Sequence, residues 1–283
     1  MATEADAQSG RTFRVLLIKP VVGLPRGHVE KCALYFPAAS VAGTANRKQQ
    51  PTSGNTTMNK REIAFLRRRY HADRIDPAML TPICQQPILK RESFIPERLF
   101  PLKSVRAGLQ PAPDTAVETF HEDELLEHVW ANPDKYLENS RPFGAVFTLD
   151  FSARTNWPRD YVQQNVFRSK LFGQIAQAKG MCAIPVLIWA RRDTYLVCFE
   201  GIPERSVVAV STQSILRNEM TLADFRAGFL EAVRFLEPST TLFYGTIPAL
   251  DFDVKNIVQF ETWSRAHRRG CVQPDLFLGR EVS

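Results

Sequence analysis

Between residues 144 and 245 the hydrophobic period switches repeatedly, and this alternation limits the folds open to the chain more than any single motif. "GAVFTLD" (144–150) is an apolar run of strand length. The next segment, "RDYVQQNVFRSKLFGQIAQAKG", has helical spacing through Val162, Val166, Leu171 and Ile175, and Gly180 suits its C-terminal cap. "MCAIPVLIWA" (181–190), "TYLVCFEGIP" (194–203) and "SVVAVST" (206–212) read as three further strands. "TLADFRAGFLEAVRFLEP" (221–238) reads as a helix, with Thr221 as N-cap, Asp224 at the third helical position and Pro238 just past the end. "TTLFYG" (240–245) is a fifth strand. Apolar strands that alternate with amphipathic helices need cover on both faces of a sheet. The predicted fold class is therefore α/β, a mostly parallel sheet with covering helices. The short gap between 199 and 206 leaves room for one antiparallel pair.

Residues 116–283 are read as this core domain and residues 1–115 as an N-terminal extension. Residues 11–36 suggest a strand and a turn, and residues 37–60 lack a hydrophobic period and are read as a mobile, partly disordered segment. In "NKREIAFLRRRYHADRI", Ile63, Leu66 and Tyr70 are spaced for one helix face, with Phe65 beside them. Residues 76–113 are rich in proline and are read as an extended strap over a domain surface. From Glu118 a helix is predicted, with Leu125, Leu126 and Val129 as its apolar face and a break at Asn132-Pro133.

The net charge of +6 is unevenly spread. Residues 1–110 carry 18 basic and 8 acidic side chains, and residues 111–283 carry 18 and 22. A basic excess confined to one part of a chain fits contact with nucleic acid. Arg61, Arg67, Arg68 and Arg69 are the candidate phosphate contacts; the alternative is a solvated helix whose apolar stripe packs on the core. The five cysteines are dispersed, with no C-x-x-C pair, which argues against a zinc site or a disulfide framework. No run of 18 apolar residues and no basic segment leading into an apolar one occurs, so no membrane span and no secretory signal are expected. A reducing, cytoplasmic setting is the expectation.

In open parallel sheets, ligands gather beyond the carboxyl ends of the strands. If the strands above all run one way, Asp150, Trp189, Ser211 and Tyr244 share a rim, with Ser152 in the loop after Asp150. Glu200 joins them only if its strand runs in the same direction. Asn165 and Arg168 lie three apart on the following helix, and Arg168 is expected within ion-pair reach of Asp150. Asp150, Arg168 and Asn165 are thus the catalytic candidates, and Ser152, Trp157, Trp189 and Tyr244 the substrate-binding ones. Equally, the three polar residues could brace a corner, and Trp157 could lid the core. No phosphate-binding glycine loop, H-E-x-x-H or G-x-S-x-G motif occurs. His121, His128 and His267 are dispersed, the first two on a predicted helix. Asp251 and Asp253 would lie near the Asp150 rim, as a Mg²⁺ site or as a solvated acidic loop. The sequence assigns no metal and no cofactor.

"DFS" (150–152), Pro158, "NVFRS" (165–169), Gly180, "IP" and then Trp189, "FEGIP" (199–203), "VVAVST" (207–212), Phe225 with Gly228, and "YG" (244–245) together resemble a family of bacterial and phage genomes catalogued as domain-of-unknown-function family 4417. The resemblance covers roughly residues 140–270, and Ser214 departs from it where a glycine is usual. It implies an association with phages and mobile elements and carries no reaction. Three functional readings follow. The first is nucleic-acid association through the basic N-terminal part. The second is an enzyme acting on a phosphorylated or sugar-like substrate at the Asp150/Arg168 rim. The third is an accessory protein that binds a host protein.

Overall fold

The computed structural model describes residues 59–216, 220–268 and 277–282. The strand expected within 11–36 and all but the last two residues of the mobile segment expected at 37–60 lie outside the described residues, and Lys60 already begins a helix. The described residues form eight strands: β1 (Arg98–Pro101), β2 (Ala112–Glu118), β3 (Phe143–Phe147), β4 (Cys182–Ile184), β5 (Val207–Ser211), β6 (Thr240–Tyr244), β7 (Ile257–Phe260) and β8 (Phe277–Val282). β1 to β4 are parallel neighbours in chain order, as are β5 to β7, and β8 runs antiparallel between β7 and β1.

The sheet closes on itself. Past Ile184 the chain leaves β3 for β5: Leu187 N donates to Ala209 O at 2.8 Å, and Ala209 N to Pro185 O at 2.8 Å. Val186 pairs in parallel with Ala209. Val186 N still faces β3 and donates to Thr148 Oγ1 at 2.9 Å. The result is a barrel whose ring order is the chain order, with seven parallel strands and one antiparallel strand. Closure leaves no unpaired sheet edge.

Strand alternation divides the apolar side chains into an inner and an outer set. Leu99, Ala116, Ala145 and Phe147 turn into the barrel, while Phe100, Val117 and Val146 pack outward on a helical layer. That layer is made by α2 (Asp123–Ala131), α3 (Pro133–Asn139) and α4 (Arg159–Ala178), through Leu126, Val129, Leu137, Leu171 and Phe172. On the other side lies α7 (Leu222–Leu236), whose Phe229 meets Phe243 edge to face at 5.2 Å. Thr221 caps α7 by accepting from Asp224 N at 3.1 Å, as its sequence position predicts. The smaller helices are α1 (Lys60–Tyr70), α5 (Tyr195–Phe199), α6 (Gln213–Leu216) and α8 (Trp263–Arg268).

Several expectations need correction. The run at 194–203 is not a strand: Tyr195–Phe199 is helical. A short apolar run does not separate strand from buried helix, and β4 and β5, being parallel, require a crossover between them. The antiparallel pairing therefore involves β8 and not the 199–206 gap. Of the run at 181–190, only Cys182–Ile184 is regular strand. The proline-rich stretch is a strap only as far as residue 95. There Gln174 Nε2 of α4 holds Met79 O and Ile88 O at 2.9 Å each, and Lys90 N donates to Gln177 Oε1 at 2.9 Å. Beyond it come β1 and β2, so the boundary expected at 115/116 falls inside a barrel strand. β2 also claims Glu118, and the helix expected from that residue begins at Asp123.

Gly228 on α7 lies directly against Trp189: a Cβ there would stand 2.2 Å from its Cδ1 and Nε1. Alanine normally gains about 1 kcal/mol over glycine inside a helix. Here Gly228→Ala should instead destabilise the protein by about 1–3 kcal/mol through overpacking. Urea unfolding measures this, and a variant at least as stable as the parent would contradict the contact.

Candidate functional site

Because β1 to β7 are parallel, their carboxyl ends open on one mouth. A pocket of about 90 Å³ lies there, lined by His121 after β2, Asp150 and Ser152 after β3, Trp189 after β4, and Ser211 and Gln213 at the end of β5. Phe120, also in its lining, stacks on Tyr244 of β6 at 4.7 Å between ring centroids. Tyr244 is buried, and its hydroxyl oxygen accepts from Trp263 N at 2.9 Å.

Beneath this mouth lies a carboxylate. Alternation along β2 turns Glu118 inward with Ala116, and Glu118 has no solvent exposure. Its Oε2 accepts from Phe120 N at 2.7 Å. Its Oε1 has no hydrogen bond and stands 3.3 Å from His121 Nε2, which is likewise buried without one. Trp189 Nε1 is also buried without a hydrogen bond, but it packs against Gly228 of α7. Leaving a buried polar group unpaired costs about 1–3 kcal/mol, so each calls for an explanation, a ligand among them.

The residues chosen from the sequence divide between this mouth and a neighbouring groove. Asp150, Ser152 and Trp189 line the mouth. Arg168, Asn165 and Trp157 line the groove between α1, α2 and α4. Arg168 does not pair with Asp150: it donates to Glu127 Oε1 of α2 at 2.6 Å and to Asn165 Oδ1 at 2.7 Å, with its guanidinium 3.9 Å over the Phe151 ring. Asn165 Nδ2 donates to Ser152 O at 2.7 Å and ties α4 to the loop. The helix packs alongside the strand, so its third turn faces α2 and not the mouth. Asp253 lies with Arg205, Glu237 and Asn256 at the amino ends of the strands, opposite Asp150, because it precedes β7. Glu200 follows α5 and accepts from Thr81 Oγ1 and Cys84 N. Arg61, Arg67, Arg68 and Arg69 all fall on α1, whose Ile63, Phe65 and Tyr70 are exposed and not packed on the core. Among the described residues no group of three or more His, Cys, Asp or Glu is placed to hold a metal, and no helix is long and apolar enough to cross a membrane.

Glu118 and His121 were missed because "ETFHEDELLEH" has helical spacing. The available signal was Ala116 and Glu118 alternating with Thr115 and Val117.

Comparison with known proteins extends the resemblance upstream. The family described as "Domain of unknown function (DUF4417)" matches residues 79–261. The chain belongs to this family. The DUF4417 match thus takes in the strap, β1 and β2. The chain is 35% identical over 162 residues to the "Gene 1 protein" of Mycobacterium phage L5, covering 56% of this chain and 70% of that one. It is 33% identical over 156 residues to the "Gene 1 protein" of Mycobacterium phage D29, covering 54% of this chain and 58% of that one. No solved structure matches the DUF4417 chain significantly.

One further charged group in this DUF4417 barrel is buried. Lys170 of α4 donates to Val197 O at 3.0 Å and Glu200 O at 2.6 Å, pinning the end of α5. Burial pushes its ammonium down to about 7, against the opposing pull of Cys198, Glu200 and Cys84. The unfolded chain keeps that proton up to the ordinary lysine range, so between about pH 7 and 10 it binds more protons than the fold does. Stability contributed by Lys170 therefore rises with pH across that window. The Cys198 and Cys84 thiols, pushed up by burial to about 11 and about 12, act in the opposite sense above pH 9. Lys170→Met keeps both thiols. It should lower the slope of unfolding free energy against pH between 7 and 10 by up to about 1.4 kcal/mol per unit. Identical slopes in urea titrations of the two proteins would refute the shift.

Proposed function

We propose that the chain is an enzyme that performs proton-transfer chemistry on a small phosphorylated or sugar-like substrate at the carboxyl mouth of the barrel. The observation that carries this reading is the buried Glu118–His121 pair, left without mutual hydrogen bonding beneath a polar opening. The His121 imidazole exchanges a proton with the substrate through its other nitrogen, Nδ1, while Glu118 Oε1, 3.3 Å from Nε2, stabilises the imidazolium that forms. Asp150 supplies a second carboxylate at the rim, while Ser152, Ser211 and Gln213 orient the substrate. By analogy, closed parallel barrels carry their active sites at this face, and strained or unpaired groups gather at such sites. The pocket, of about 90 Å³, is small, so it takes the reacting group while the rest of the substrate lies over the rim.

A panel of chromogenic phosphate monoesters and glycosides tests the reading. Glu118→Gln and His121→Asn should each lower kcat by about 10²–10⁴-fold, the usual contribution of a positioned acid or base. Neither should reduce stability much. If Glu118→Gln costs about 3–5 kcal/mol, the size expected for a broken structural ion pair, the pair is a brace and the proposal fails.

A second reading, nucleic-acid association, is favoured by the charges on α1. Lys60, Arg61 and Arg69 have no carboxylate partner among the described residues, and Arg67 reaches Asp73 only at 3.8 Å. Neutralising Arg61 and Arg69 should flatten the salt dependence of duplex binding by about 0.9 log unit per contact. Filter binding across a salt series checks this, and an unchanged slope would count against α1 as the contact.

A further inference from the structure

The groove beside the mouth has about 500 Å³ of space and is walled by Phe65 and Arg69 of α1, Trp130 of α2, and Trp157, Tyr161 and Arg168 around the start of α4. We infer that it binds single-stranded nucleic acid, with bases stacked on Trp157, Tyr161 and Phe65 and phosphates held by Arg69 and Arg61. This rests on the nucleic-acid reading of α1 and adds the strand form and the contact surface.

Four observations converge on it. The first is aromatic exposure. Tyr161 is 62% and Phe65 60% exposed, although rings of this size usually contribute most when buried. Trp157 meets Tyr161 edge to face at 6.1 Å, so the rings offer differently oriented faces to successive flat groups.

The second is charge. The two acids of the groove are already engaged: Glu127 accepts from Arg168, and Asp123 Oδ1 accepts from Ser152 N at 3.0 Å. Arg69 has no such partner among the described residues, and its helix adds Lys60 and Arg61. Within the lining Arg69 and Arg168 balance Asp123 and Glu127, and the positive excess comes from Lys60 and Arg61 on the adjoining helix; that excess complements a polyanion and offers nothing to an uncharged sugar chain.

The third is an unsatisfied donor: Arg168 Nε is buried without a hydrogen bond and belongs to a side chain that lines the groove. The fourth is position. His121, Glu122 and Phe151–Arg154 of the mouth adjoin Asp123 and Trp157 of the groove along the chain, and Arg154 lies 5.6 Å over the Trp157 ring. Stacking on exposed rings requires unpaired bases, which duplex nucleic acid keeps inside its own stack. Rings beside arginines are the usual means of holding single strands without sequence preference.

The test uses the full chain, a fluorescein-labelled twelve-nucleotide poly-dT and a twelve-base-pair duplex, followed by anisotropy. Phe65→Ala and Tyr161→Ala alter exposed side chains, and circular dichroism confirms that both variants fold. Each should weaken poly-dT binding about fivefold or more, in line with the usual worth of a stacked base, and leave duplex binding unchanged. Arg61→Gln with Arg69→Gln should weaken both ligands. If the ring variants bind poly-dT as tightly as the parent, or if the parent does not bind it, the groove inference is overturned. Arginine-dependent duplex binding would still stand in that case. Displacement of poly-dT by a neutral oligosaccharide at similar concentration would also overturn it, in favour of a sugar site. Equal loss of both ligands in the ring variants would show general damage to α1 and defeat the assignment to stacking.

Discussion

The architecture depends on one change of partner, made by the six residues from Cys182 to Leu187. Their first half bonds to β3 and their second half to β5. Pro185 sits at the turning point, lacking an N–H that either neighbour would need and giving its carbonyl to Ala209. The one amide still directed at β3, that of Val186, is satisfied by the Thr148 hydroxyl. Without this hand-over the strands would form an open sheet with two exposed edges. With it, the ends of β2, β3, β4 and β5 face one another across a mouth, and residues far apart in sequence such as His121, Asp150 and Ser211 share one small space.

The same closure explains which parts of the fold were legible in the sequence. α4 and α7 carry unbroken helical spacing and recognisable ends, and both are where their patterns place them. β3, β5 and β6 are buried on both faces and so read as continuous apolar runs. β1 and β2 escaped because their register mixes proline, arginine and acids into a strand whose inner face needs only Leu99, Ala116 and Glu118. The helix at 195–199 escaped because five apolar residues fit either structure, and only the parallel direction of β4 and β5 decides between them. Of the candidate site, Asp150, Ser152 and Trp189 were accessible from strand ends. The Glu118–His121 pair was not, since it depends on where β2 stops and α2 starts. Arg168 was assigned to the mouth by counting turns, but the lateral offset of α4 gives it to Glu127.

Polar groups hidden in this protein fall into two kinds. Lys170, Gln174 and Gln177 are engaged with backbone carbonyls and amides, and they fasten α4 to the strap and to α5. Glu118 Oε1 and His121 Nε2 face each other at 3.3 Å without an aligned hydrogen bond, and Trp189 Nε1 makes none. The first kind stabilises the barrel and the second is a cost that the fold carries at its mouth. Both occur in one barrel, the first on α4 and the second at strand ends, so the contrast cannot be put down to a generally loose core.

The antiparallel β8 has a consequence for how the molecule comes into being. It lies between β1 and β7, so the first strand of the ring cannot meet its second neighbour until residues 277–282 have been translated. During vectorial synthesis β1 to β4 can pair as they emerge, and β5 to β7 can follow. The nascent chain nevertheless carries two open edges until β8 emerges and slots between them. β8 thus acts as the keystone of the ring, and a chain held short of it would keep a nearly finished barrel in its most adhesive state.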